Sequence, residues 1–406
     1  MDRQDRVASL TPARLSLSGR LLETAARHLE VGSLELRFPG RSPRLFAGSE
    51  DGPRGVLEII DPAFLRRVLV AGDLGFAEAW MQGQWTSPDL PSLLECLVRN
   101  RQAFDSLASR PRLLQGLQWL HQRFWRDNHR RGSRRNIADH YDLGNEFYRL
   151  WLDPELNYSC AHFNDSAADL PRAQWRKCEN ILDMIDARPG DHILEIGCGW
   201  GGFAIHAAKH RDCRVTAVTV SRAQLAEARS RARAAGVARQ VDFQLRDYRD
   251  VSERHDHVVS IEMFEAVGER WWPEFFRSLH RCLRPGGRAA IQVITIDDAI
   301  FPDYRRRPDF IQRYIFPGGL LPSPSEFERH ARAQGLAVEH RSFRGEDYAR
   351  TLALWRRQFG QVEDEVRALG FDRRFIRMWD YYLAYCEAGF RAGTIDLMNS
   401  VLVSAR

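Results

Sequence analysis

The chain has almost no lysine. It holds 59 Lys and Arg residues, yet lysine stands only at Lys177 and Lys209. The bias reads as genomic composition, with the side effect that any phosphate would be met by Arg, whose planar fork pairs with it better than an ammonium. Cysteine pairs are also missing. The seven Cys are scattered without a C-x-x-C spacing, which argues against a disulfide framework or a zinc site and for a reducing cytosol. No side-chain cluster has metal-ligand spacing, so no metal is expected. No apolar run approaches the roughly 20 residues of a membrane span. Met1–Gly19 carries charge throughout and lacks the apolar core of a signal peptide. The expected location is cytoplasmic, with any membrane contact peripheral and at the inner face.

What is present fits a folded globular chain: 44% hydrophobic and 28% charged residues. The formal net charge of +5 is too small to name a partner. A length of 406 residues favours more than one domain. Residues 1–120 read as a smaller amino-terminal α+β domain. Its strands are expected at Leu34–Phe38 and Gly55–Ile60, and a helix over Pro62–Ala71 ends at Gly72. A turn, a short helix and a second turn follow through Trp85, and another helix begins at Leu90. Residues 121–135 read as a linker, in which Arg123, Arg126, Arg130, Arg131, Arg134 and Arg135 surround Trp125. A solvated linker is the plain reading. A patch for anionic lipid head groups is the functional one. Nucleic acid ranks last, because no recognised motif accompanies the charge.

From Asn136 the pattern alternates between strand and helix. Strands are expected at His192–Ile196, Val215–Val220, Val241–Leu245, His257–Ile261 and Ala289–Ile296, with Ala337–Ser342 and Ser400–Ser404 as two final ones. This predicts a parallel, doubly wound α/β sheet with a helical, aromatic-rich insertion from Tyr348 to Phe390. The first strand runs into Glu195-Ile-Gly197-Cys-Gly199-Trp-Gly201-Gly202. Glycines there bend the strand–helix turn and admit a ligand to the backbone at the carboxyl edge of the sheet. A side chain at Gly197 or Gly199 would fill that space. The acid-then-glycine order is similar to motif I of class I methyltransferases, with a Rossmann-like fold. The second strand ends with Thr219 and Gln224 where many nucleotide sites put an acid. Asp247, after the third, is placed to accept an adenine amino group, and Tyr248 to flank the ring.

Further motifs carry a more specific resemblance. They are Asp139-His140-Tyr141-Asp142-Leu-Gly144-Asn145, Asn157-Tyr158-Ser159-Cys160, Met263-Phe264-Glu265-Ala-Val-Gly268, Leu283-Arg-Pro285-Gly286-Gly287, Phe316-Pro317-Gly318-Gly319 and Asp347-Tyr348 through Trp355. In order and spacing this run resembles the cyclopropane-fatty-acid synthases and mycolic acid methyltransferases over residues 136–406. The amino-terminal unit is similar to that of the full-length bacterial synthases. The resemblance implies S-adenosylmethionine as methyl donor and a cis-unsaturated acyl chain on a phospholipid as acceptor. It implies a carbocation, and a bound bicarbonate that removes a proton. Carried over, the bicarbonate ligands are Cys160, Glu265, Ile294 by its backbone, and Tyr348. Tyr158, Gly197, Thr219 and Gln224 fall on cofactor-contacting positions, with Ser159, Glu195, Gly199, Asp247 and Tyr248 beside them. Glu262 competes with Glu265, and motif position favours Glu265.

One position departs from the family pattern. Gln292 stands where cyclopropane synthases usually carry His. Gln donates a hydrogen bond but has no cationic form, so an anion would be held less strongly. The Gln form resembles a side branch associated with methylated fatty acids, and it turns the expected product from a ring toward a methyl- or methylene-branched chain. Two other readings stand beside this one: a small-molecule N-methyltransferase, since plant alkaloid enzymes resemble the family, and a catalytically silent lipid-binding protein. A homodimer is expected to add avidity at a lipid surface.

Overall fold

A computed structural model describes residues 16–105, 143–164, 169–307 and 309–405. The Arg123–Arg135 run, and the family segment as far as Asp142, lie outside the described residues. The chain divides into two compact units. One is Met1–Arg112 with Arg377–Ala388, and the other is Leu113–Ile376 with Gly389–Arg406.

The first unit is built on strands β1 (Val31–Arg37), β2 (Arg44–Ala47), β3 (Glu50–Ile59) and β4 (Trp85–Thr86), in the order β2-β1-β3-β4. The inward residues Leu34, Leu36 and Leu57 are almost fully buried, as are Leu93 and Cys96 of the helix Leu90–Arg99. Asp89 caps that helix by accepting from the Ser92 amide at 3.2 Å. Asn100 ties its far end to β1. The Asn100 side chain accepts from the amides of Glu30 and Val31 and donates to the Val31 carbonyl, all within 3.0 Å. The helix expected over Pro62–Ala71 is Phe64–Ala71, and it stops at Gly72, whose φ is 57°. β2 went unforeseen because its four residues are not buried and leave no alternation to read.

The second unit carries a seven-stranded sheet. Its strands are β5 (His192–Ile196), β6 (Arg214–Thr219), β7 (Val241–Leu245), β8 (His255–Ile261), β9 (Leu283–Ile296), β10 (Leu336–Phe343) and β11 (Ile395–Ser404), in the order β10-β11-β9-β8-β5-β6-β7. β5 to β9 pair in parallel, while β11 runs antiparallel to both β9 and β10. The doubly wound sheet expected from the sequence is present, with one strand, β11, reversed. A short apolar run does not encode its direction. Helices cover both faces. Phe264, Trp272, Phe275, Phe276 and Leu279 pack on one side; Ile181, Leu182, Phe203, Ala204 and Ala207 pack on the other. The insertion expected from Tyr348 to Phe390 is three helices, Gly345–Gln361, Glu363–Ala368 and Arg373–Arg391. β5 lies between β8 and β6, so consecutive connections diverge to opposite sides there. A crevice at such a switch point is where open α/β sheets bind ligands.

Among the described residues, no helix is long and apolar enough to cross a membrane, and no group of three His, Cys, Asp or Glu is placed to hold a metal.

Candidate active site

At the end of β5 the backbone turns through Gly197, Gly199 and Gly201, with φ of 82°, 51° and 84°, into the helix Gly202–Arg211. Side chains rarely adopt such values. The three glycines do different things. A Cβ on Gly199 would meet nothing within 4 Å, so the space beside it is open. A Cβ on Gly197 would fall 2.7 Å from Met263 Cγ, and one on Gly201 2.7 Å from the Phe243 ring. Gly197 therefore serves the approach of Met263, not only the ligand room expected from the sequence. Glu195 is buried beneath this turn, and burial pushes its carboxyl up to about 8. Its Oε2 has no hydrogen-bond partner. The open space beside Gly199, at the carboxyl end of β5, fits a nucleoside donor such as S-adenosylmethionine.

The neighbouring strand ends are closed by local bonds. Thr219 Oγ1 donates to Gln224 Oε1 at 3.0 Å and accepts from the Ser221 amide at 3.1 Å. Ser221 caps the helix Arg222–Ala234. Thr219 and Gln224, both expected at the cofactor, are thus bonded to each other. Asp247 stands at the end of β7, but Arg249 holds it, Nε to Oδ1 at 2.8 Å and Nη2 to Oδ2 at 2.7 Å. An adenine amino group would have to share that carboxylate. The Tyr248 ring packs edge-on to Phe275 with centroids 5.6 Å apart.

The Asn157–Cys160 loop is held by Lys177, which sequence reasoning missed. Lys177 is almost wholly buried, and its Nζ donates to Ser159 Oγ at 2.7 Å and to Asn157 Oδ1 at 3.4 Å. Asp153 fixes the same loop by accepting from the Asn157 amide and side chain at 2.8 and 2.9 Å. The Tyr158 ring lies 5.5 Å from Trp355 and 5.4 Å from Tyr148. One signal was available: Lys177 is one of only two lysines in a chain that otherwise uses Arg.

Beyond β8 two carboxyls meet. Glu262 follows the strand with φ of 48°, a left-handed conformation that costs a non-glycine residue about 1–3 kcal/mol. Three donors converge on it. The Cys160 amide reaches Oε1 at 2.8 Å and Gln292 Nε2 reaches Oε1 at 2.7 Å, while the Tyr348 hydroxyl hydrogen-bonds Oε2. Glu265 accepts from the Ile294 amide at 2.6 Å, and its Oε2 is buried without a partner. Burial, and then the charge of Glu262, push Glu265 up to about 8. Burial raises Glu262 as well, but its three hydrogen bonds and Lys177 oppose the shift. Of the pair, Glu262 is the one with donors on both carboxyl oxygens.

Gln292 is oriented from behind. Its Oε1 lies 3.2 Å from His162 Nε2, whose Nδ1 is 3.0 Å from the Asn180 amide nitrogen. Burial lowers His162 to about 3, so the ring is neutral. With Nδ1 accepting from Asn180, Nε2–H donates to Gln292 and turns the amide nitrogen toward Glu262. Sequence reasoning did not find His162. Cys160 contributes its main-chain N–H. Its thiol points to the Ala161 carbonyl at 3.1 Å, and burial raises it well above its usual range. Tyr348 is stacked on Phe390 with centroids 4.5 Å apart. The sequence set Cys160, Glu265, Gln292, Ile294 and Tyr348 is therefore one cluster. Glu262, placed second by motif position, takes the larger share of its donors.

Comparison with known proteins shows the family. The family profile of mycolic acid cyclopropane synthetase matches residues 128–400. The tuberculostearic acid methyltransferase of Mycobacterium tuberculosis is 40% identical, covering 97% of this chain and 92% of its own. The cyclopropane-fatty-acyl-phospholipid synthase of Escherichia coli is 33% identical over 85% of this chain and 87% of its own. A crystal structure of a mycolic acid cyclopropane synthase complexed with SAH and CTAB superposes with a TM-score of 0.63 at 30% identity, covering 66% of this chain and 97% of that one. The chain belongs to the mycolic acid cyclopropane synthetase family and is an S-adenosylmethionine-dependent methyltransferase.

Proposed function

We propose that the enzyme transfers a methyl group to the cis double bond of an unsaturated acyl chain carried on a phospholipid, and that its product is a methylene-branched chain rather than a ring. S-adenosylmethionine, when bound, supplies a methyl group already activated on a sulfonium. The chain's own residues do the rest. The glycine turn and the Tyr158–Ser159 segment are the groups suited to hold the donor. The aromatic faces of Tyr348, Phe390 and Trp355 suit a passing positive charge, at about 0.5–2 kcal/mol for each well-placed ring. The observation that carries the reading is the enclosed pair Glu262 and Glu265, together with Gln292, at the sheet edge beside the glycine turn. An alkene has no proton to lose before it attacks, so a base is needed only afterwards. A site with acids and aromatics suits that order of events. A saturated methyl branch would need a hydride from a separate reductive step.

A phospholipid acceptor makes a membrane surface the place of work, and the six arginines between Arg123 and Arg135 suit anionic head groups. The test is mass spectrometry of fatty acids from cells that express the protein and are fed methyl-labelled methionine. The expected result is a labelled acyl chain heavier by one CH2. The absence of label from every acyl chain would sink the reading. The same transfer, run on anionic vesicles, should fall with added salt; indifference to salt would set the arginine run aside.

A further inference from the structure

The donors that the family resemblance assigns to a bound bicarbonate are not left free in this chain. The Cys160 amide and the Tyr348 hydroxyl both bond to Glu262, and Gln292 adds a third hydrogen bond. A side-chain carboxylate thus receives the donors expected to surround a small carboxylate anion. Its position is enforced by a left-handed backbone at residue 262, a strain kept up by the surrounding contacts. Resting on the function proposed above, we infer that Glu262 is the catalytic base, a carboxylate built into the chain in place of bicarbonate.

Gln292 then has a reason. A cationic group bonded to Glu262 would hold its electron pair and weaken it as a base. The neutral Gln292 amide, locked by the neutral His162, orients the carboxylate without adding charge. The unusual residue and the internal acid are two parts of one arrangement. Glu265 is bonded to the Ile294 amide and pushed up to about 8, by burial and then by the charge of Glu262.

The electron count closes. The alkene π pair forms the bond to the donor's methyl carbon, and the carbon–sulfur pair leaves with sulfur. The cation forms on the other alkene carbon. A hydride shift from the methylated carbon moves the cation there. Glu262 then takes a proton from the new methyl group, and that C–H pair becomes the double bond of a methylene (C=CH2) branch. The proton stays on Glu262, hydrogen-bonded to Tyr348, until the product leaves and solvent removes it. No oxidant or reductant is needed.

The test uses the full-length protein, S-adenosylmethionine and vesicles of a phospholipid bearing cis-unsaturated chains, in buffer stripped of carbon dioxide and then with bicarbonate restored. The wild-type enzyme is expected to turn over equally in both. Glu262→Gln should lose about 10²–10⁴-fold in turnover, with S-adenosylmethionine affinity by calorimetry within about threefold of wild type. Glu262→Gly suits the left-handed backbone and vacates the carboxylate's place; added bicarbonate or formate should restore part of its activity. Wild-type turnover that collapses without bicarbonate would overturn the assignment, as would a Glu262→Gln enzyme as active as wild type. Glu262→Gly that gains nothing from either anion counts against it in the same way. Failure of the wild type to methylate the lipid under any condition would instead overturn the proposed function beneath it.

Discussion

The cofactor side and the acid side of the sheet edge satisfy their polar groups over different distances along the chain. Thr219 and Gln224 are five residues apart, and Asp247 and Arg249 are two apart. Glu262 draws its partners from 102, 86 and 30 residues away. Local bonds can form as each strand–helix turn forms, and they make a surface for a ligand with little strain. Long-range bonds exist only once the sheet and the Gly345–Gln361 helix are assembled. They can therefore hold what the local turns do not: a strained residue and two neighbouring carboxyls in low dielectric.

Three substitutions probe that contrast. The largest effect is expected at Lys177, the buried tie on the Asn157–Cys160 loop. Lys177→Ala removes the loop's partner and opens a cavity, at a cost of about 2–5 kcal/mol. Urea unfolding should show it as a lower midpoint with an unchanged slope. A midpoint equal to wild type would mean the loop holds itself. Next comes Gly199→Leu. A side chain there would enter the open space beside the turn, so S-adenosylmethionine affinity should fall by at least about 100-fold, or 2.7 kcal/mol. Calorimetry showing near-normal affinity, with an intact circular dichroism spectrum, would remove the glycine turn from the cofactor site.

The smallest effect is expected at Glu265, and it separates the two acids. If Glu265 is protonated in the working enzyme, Glu265→Gln keeps a neutral donor and costs only about tenfold in turnover, or 1.4 kcal/mol. Its stability signature runs the other way. The folded-state value is raised to about 8 from an ordinary 4.5. Below 4.5 both states hold the proton; between the two values the unfolded chain releases it and the folded one does not. Wild-type stability therefore falls as pH rises through that window. Glu265→Gln should gain in melting temperature relative to wild type from about pH 5 to pH 8. A constant difference across that range would show that Glu265 is ionised in the fold.

The same contrast governs what the sequence revealed. β5 and β7 are where their apolar runs place them, because a short run bounded by turn residues marks a buried strand. The glycine turn was legible for the same local reason. The reversed direction of β11 was not, since strand direction depends on which neighbour it pairs with. β9 begins at Leu283, six residues before the expected Ala289, because the strand runs on through Pro285, Gly286 and Gly287. The cluster's membership was legible through the family motifs, but its wiring was not. Nothing near residue 262 in the sequence says that a left-handed turn aims its side chain at Cys160, Gln292 and Tyr348. Gln292 was visible as an anomaly, and its meaning appeared only with the partner it holds.

The most direct test of the account is the structure of the product. Wild-type enzyme would be supplied with methyl-labelled S-adenosylmethionine and cis-unsaturated phospholipid in bicarbonate-free buffer, and the acyl chains read by nuclear magnetic resonance. The account predicts the label in a methylene (C=CH2) branch on the acyl chain, formed without bicarbonate. Label confined to a cyclopropane ring, and formed only when bicarbonate is added, would contradict it.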